Sequence, residues 1–195
     1  MPSLLDRLSR PFRALARRPE APHLAAAADV LAECPLFARF TRAALRTVAE
    51  TVHARQYARG ETLYVEGDPA VGLYVVQDGL VRLSAEDEDG SVEEISRHAR
   101  GSVLGETALL GDFRRAETAH AVRDTVVLGL FRPDLRTLLK REPKVGLMVT
   151  VAVAQRLAAR EEALLQVLRE GHLPAHKLLH RLQLTEATDP GALVG

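Results

Sequence analysis

Across residues 55–131 the apolar positions fall into short runs, 62–65, 72–76, 80–83, 92–95 and 125–130, each closed off by a glycine-containing turn. Runs of that length between turn residues predict consecutive antiparallel strands. Gly60, Gly67, Gly79, Gly90 and Gly101 punctuate them, and Asp78-Gly79 and Asp89-Gly90 are hairpin dipeptides, since glycine reaches positive φ at no steric cost. On either side the period becomes helical. Upstream, Thr41 is an N-cap before Ala44, Leu45, Val48 and Val52, within a helical lead-in over 25–52. Downstream, Pro133 opens a short helix whose Leu135, Leu138 and Leu139 share a face, and it stops before Pro143.

The longest element follows. Residues 143–170 contain no interior proline and run up to Gly171, a natural C-cap, which predicts a helix about 40 Å long. Its first half, with Val145, Leu147, Met148, Val149, Val151, Ala152 and Val153, is apolar nearly all round, and its second half keeps Leu157, Leu164, Leu165 and Leu168. One small β-roll cannot cover so much apolar helix, so the surplus predicts the same helix from a second subunit, a homodimer through 143–170. The fold class expected is α+β: an antiparallel β-roll (a double-stranded β-helix, jelly-roll-like) with flanking helices and a long C-terminal dimerisation helix. The chain divides into a basic N-terminal arm (1–24), the roll with its helical lead-in (25–142), the long helix (143–170), and a short helix and tail (171–195).

Charge narrows the partners. Lys plus Arg number 26 and Asp plus Glu 26, so no overall field draws a polyanion and a charged partner must be held by a local site. The arm carries Arg7, Arg10, Arg13, Arg17 and Arg18 among Leu4, Leu5, Leu8, Phe12 and Leu15, but Pro11 splits the pattern, which favours an arm over a membrane-surface helix. Cys34 is the single cysteine, read as a buried free thiol in a reducing compartment. No transmembrane segment and no signal-peptide core are expected, so the localisation expected is cytoplasmic. The acidic run at 86–89 lacks calcium-loop spacing. His172, His176 and His180 have helical spacing, but Pro174 interrupts them and no carboxylate completes a zinc motif; neither metal nor cofactor is expected. No nucleophile elbow, Walker loop or dinucleotide fingerprint occurs, which argues against an enzyme.

The chemistry concentrates in residues 105–121. Binding a small phosphate needs a cation with directional donors and backbone N–H groups at close approach. Gly105 permits unusual φ, Glu106 to Leu110 favour a one-turn helix whose N–H groups face an anion, and Arg115 offers a guanidinium fork matched to phosphate oxygens. Glu106 is unsuited to phosphate, but its carboxylate can accept a hydrogen bond from a sugar hydroxyl. Together they would read a ribose phosphate. Arg114 is a second candidate for the anion; Arg115 is preferred.

Arg59-Gly60-Glu61, Glu66-Gly67-Asp68, 73–76, Asp78-Gly79, Asp89-Gly90 and then Gly105-Glu106 with Arg115 occur in an order that resembles the cyclic-nucleotide-binding domain of the catabolite-activator (cAMP receptor) superfamily, over residues 36–170. The resemblance implies that Glu106 holds the ribose 2′-hydroxyl and Arg115 the cyclic phosphate, with the backbone around Gly105, Thr107, Ala108 and Ala116 completing the cradle. Ala116, where cyclic-GMP-selective members often carry threonine, favours cAMP. The same resemblance brings Arg160 and Glu161 of the long helix near the purine, though both also fit a solvated face. Glu117 departs from the family, which has a small residue there: pointing outward it is harmless, pointing inward it repels the ligand. Only 173–184 resembles the start of the family's winged helix-turn-helix and no recognition helix follows, so direct sequence-specific DNA binding is not expected. Two classes remain: a non-enzymatic cyclic-nucleotide sensor acting through its long helix, and a ligand-free scaffold or dimerisation module acting through an unidentified protein partner.

Overall fold

The computed structural model describes residues 22–86 and 89–170. Helices α1 (Pro22–Glu33) and α2 (Arg42–Ala49) flank a 3-10 turn (Pro35–Phe37). Then come β1 (His53–Tyr57), β2 (Thr62–Tyr64), β3 (Gly72–Asp78), β4 (Val81–Glu86), β5 (Val92–His98) and β6 (Val103–Leu104). A second 3-10 turn (Glu106–Leu109) leads to β7 (Thr118–Ala121), β8 (Thr125–Phe131), α3 (Arg132–Arg141) and α4 (Pro143–Glu170). Among the described residues the strands form two four-stranded antiparallel sheets, β1-β8-β3-β6 and β2-β7-β4-β5. This is the jelly-roll-like β-roll that the turn-punctuated runs predict.

β3 is buried on both faces and separates two cores. Leu73 and Val75 face the helices, joining Val30, Leu31, Phe37, Val48, Leu128, Leu130, Leu135, Val149 and Val153. Tyr74 and Val76 face the opposite sheet, with Leu63, Tyr64, Leu83, Ile95, Leu104 and Val127. Alternation along one strand therefore serves two apolar layers, each fixing the register against slippage. Cys34 lies in the first layer as a buried free thiol, and burial pushes it up to about 11.

Local signals hold at the helix ends. Thr41 accepts from the Ala44 N–H at 3.3 Å, and α4 has the bounds that Pro143 and the glycine after it predict. Two expectations are corrected. Asp78-Gly79 is not a hairpin tip, because β3 and β4 lie in different sheets. At Gly79 (φ 99°) a β-carbon would instead collide with Thr125, whose hydroxyl accepts from the Leu80 N–H at 3.2 Å as the chain crosses to the second sheet. Asp89-Gly90 does lie between paired strands, β4 and β5. Leu139 is exposed, whereas Leu135 and Leu138 are buried; α3 covers the core with a face too narrow for all three. Of the arm over 1–24, residues 1–21 lie outside the described residues, as do Gly171, the three histidines and the 173–184 segment, and Pro22, His23 and Leu24 belong to α1. Among the described residues no helix is long and apolar enough to cross a membrane.

Candidate functional site

Gly105 takes a left-handed conformation (φ 66°, ψ 34°) that turns the chain from β6 into the 3-10 turn and aims Glu106 inward. A β-carbon at Gly105 would collide with Arg115 Nη1, so the glycine is required twice, for its φ and for the guanidinium lying on it. Glu106 is fully buried, and Ala108 is buried beside it. The Ala108 N–H donates to the Gly105 carbonyl at 3.2 Å, Thr107 is half-buried and Ala116 is exposed.

Arg115 is 5% exposed, which is rare for an arginine without a carboxylate partner. Its Nη2 donates to the Gly72 carbonyl at 2.8 Å, and its Cζ lies 4.0 Å from the Tyr64 ring centroid and 5.6 Å from that of Tyr74. The two rings stack at 6.1 Å, so the cation rests on an aromatic floor, worth about 2 kcal/mol in a desolvated setting. Its Nε and Nη1 are buried without a hydrogen-bond partner. Arg114 is exposed and donates to the Gly67 carbonyl at 2.7 Å, which fixes the loop. Of the two arginines, Arg115 is the one in the cradle.

α4 closes over the turn. Val149 and Val153, both fully buried, dock its first half, and the same stripe continues at Arg156 and Arg160, spaced four, three and four residues apart. Both guanidinium groups reach Glu106 Oε1, Arg156 at 2.9 Å and Arg160 at 2.6 Å. Burial is the largest influence on Glu106 and pushes its carboxyl up, but Arg160 and Arg156 together outweigh it and hold the group below the usual carboxylate range. Its Oε2 is buried without a hydrogen-bond partner.

Glu117 points inward, the orientation that the sequence left open. It accepts from the Tyr64 hydroxyl at 3.0 Å. Burial pushes it up, against the lowering effect of Tyr64, Arg160 and Arg115. The structure thus brings Gly105, Glu106, Arg115 and Arg160 together and adds Arg156, Tyr64 and Glu117. Glu161 is not in the cluster; it is exposed on the far side of α4, beside Ala158 and Leu165. Arg156 had a legible signal, an arginine continuing the Val149–Val153 stripe at unchanged spacing. Tyr64 had none, because its contact with Arg115 joins two distant segments.

What the cradle offers chemically is one buried carboxylate oxygen free to accept and two buried guanidinium nitrogens free to donate. That donor and acceptor set fits a sugar hydroxyl beside a phosphate.

Residues 54–142 match the family model described as the cyclic nucleotide-binding domain. The cyclic AMP receptor protein of Thermus thermophilus is 32% identical over 142 residues, 65% of this chain and 66% of that protein. A protein of Rhodopseudomonas palustris named as a potassium channel is 32% identical over 128 residues, 66% of this chain but 31% of that protein. The chain therefore spans less than two thirds of the length of these curated relatives. The crystal structure of the N-terminal domain of a transcriptional regulator from Streptomyces coelicolor superposes with a TM-score of 0.63 at 32% identity, covering 69% of this chain and 96% of that one.

Proposed function

Because this chain belongs to the cyclic nucleotide-binding domain family, we propose that it is a non-enzymatic regulatory module that binds a cyclic nucleotide, cAMP in preference, and passes the event to α4. One observation carries the reading: Glu106 Oε2, Arg115 Nε and Arg115 Nη1 are buried without partners within one cradle. Leaving such atoms unpaired is costly, so a ligand that satisfies all three gains affinity from each. The ribose hydroxyl donates to Glu106 and the phosphate accepts from Arg115.

The arginine clamp supplies the coupling. Arg156 and Arg160 tie α4 to the carboxylate that the ribose engages. A ligand there changes what holds the helix, and the nucleotide shifts the population of helix positions by its difference in affinity for them. Arg160 remains at the cradle edge, within reach of a base; Glu161 serves the opposite face. That face carries Leu147, Val151, Ala154, Ala158, Glu161, Leu165 and Leu168, all exposed and spaced alternately four and three residues apart. An unbroken heptad spacing is the pattern of a coiled-coil seam, so a second copy of α4 is the partner it suits.

Calorimetric titration with cAMP and cGMP tests the reading. Saturable binding, tighter for cAMP and lost in Arg115→Ala, is the expected result. No heat with either nucleotide on folded protein would move the assignment to a ligand-free scaffold.

A further inference from the structure

Tyr64 does two things at once. Its ring face carries the Arg115 guanidinium, at 4.0 Å, and its hydroxyl donates to Glu117 Oε1, at 3.0 Å. β2 and β7 are antiparallel neighbours with Tyr64 opposite Ala119, and Glu117 lies in the bend just before β7, where the Tyr64 hydroxyl holds its carboxyl. The carboxyl of Glu117 is thereby fixed on the same ring that supports the phosphate-binding arginine. A phosphate on Arg115 would meet that carboxyl at close range.

The charged and titratable groups facing Glu117 are Tyr64 from β2, Arg115 from the segment entering β7, Glu106 from the 3-10 turn, and Arg160 from α4. Arg160 already pairs with Glu106 at 2.6 Å, and Arg115 is left as the main cation for an incoming anion. An ionised Glu117 offsets that cation; a protonated one does not, and it adds a donor.

We propose that Glu117, oriented by Tyr64, is a specificity residue that touches the ligand: when the cradle takes up a phosphate, Glu117 takes up one proton from solvent and its new O–H donates to a phosphate oxygen. The inference rests on the cyclic-nucleotide reading of the cradle. The balance is simple. One O–H bond forms on Glu117, the proton comes from buffer, and Tyr64 keeps its own proton and donates to the other carboxyl oxygen. Burial, with the Glu117 charge next, pushes the Tyr64 hydroxyl well up, so it stays a donor throughout. The cradle then accepts a phosphodiester monoanion together with a proton, and its affinity falls as pH rises.

The experiment is calorimetric titration of the full chain with cAMP across about pH 5 to about pH 8, in pairs of buffers with different ionisation heats, for the wild type, Glu117→Gln and Tyr64→Phe. In the wild type, affinity is expected to weaken by up to about tenfold per pH unit with uptake of up to one proton. Glu117→Gln is expected to bind about as tightly as the wild type does in acid, with no pH slope and no proton uptake. Tyr64→Phe keeps the ring under Arg115 but releases the carboxyl, and shows a smaller slope. Binding with identical pH dependence in the wild type and Glu117→Gln would overturn the inference while leaving the cyclic-nucleotide reading intact. No binding by either protein at any pH would overturn that reading, and the inference with it.

Discussion

Arg160 on α4 and Glu106 on the 3-10 turn lie 2.6 Å apart, and Arg156 meets the same Oε1 at 2.9 Å. Two cations on one buried carboxylate make single losses mild and the joint loss severe. Arg156→Ala or Arg160→Ala is expected to cost about 1.5 kcal/mol, the worth of one charge-assisted hydrogen bond. The double variant leaves a buried carboxylate unpaired and is expected to lose about 5 kcal/mol, more than the roughly 3 kcal/mol sum of the single losses. Urea unfolding of all three proteins measures this; small additive losses would mean that the clamp does not hold the helix.

Gly105→Ala tests the cradle from the other side. The left-handed φ of 66° costs a residue with a β-carbon about 1–2 kcal/mol, and the new methyl displaces Arg115 Nη1. The variant is expected to fold with that modest loss, seen in its unfolding midpoint, yet to lose cAMP heat in calorimetry. Retained affinity would show that Arg115 need not lie on the glycine.

How much of this the sequence carries depends on whether a signal is local. α4 is legible end to end, because Pro143 and Gly171 bracket a segment without breakers. The strands at 72–78 and 125–131 announce themselves as buried on both faces. β1, with His53, Ala54, Arg55 and Gln56 all exposed, has no apolar alternation to read, and β6 is two residues long. β7 alternates, but its buried members are Ala119 and Ala121, too small to register as an apolar face. In the site, Gly105, Glu106 and Arg115 are adjacent enough to form a motif. Tyr64 and Arg156 belong to it only through the fold, and the direction of Glu117 is set by a tyrosine on β2, more than fifty residues away.

Two carboxyls give opposite pH dependences. Glu106 is held below its ordinary range, so it contributes stability above that range which is lost as pH falls through its lowered folded value. Glu117 is raised, mainly by burial, so its contribution is complete below the ordinary range and is lost as pH rises through its raised folded value. Thermal unfolding across pH is therefore expected to show Glu117→Gln more stable than the wild type near neutrality and the two curves converging in acid. Parallel curves would mean that Glu117 is not buried against Tyr64 in solution.

Glu161 sits within an otherwise apolar heptad stripe between Ala158 and Leu165. In a parallel pair it meets its own copy, and like charges there oppose association. Glu161→Leu is expected to tighten the dimer by about tenfold or more, equal to about 1.4 kcal/mol, and Leu165→Asp to dissociate it. Sedimentation equilibrium checks both; a monomer unaffected by either change would remove the seam.

Site-resolved amide hydrogen exchange with and without saturating cAMP tests the account most directly, since it reads the cradle and the helix together. The prediction is slower exchange across residues 105–118 and altered exchange in α4 around Arg156 and Arg160, both absent in Arg115→Ala. Unchanged exchange in α4 with a protected cradle would contradict the coupling, and unchanged exchange in both would contradict the site.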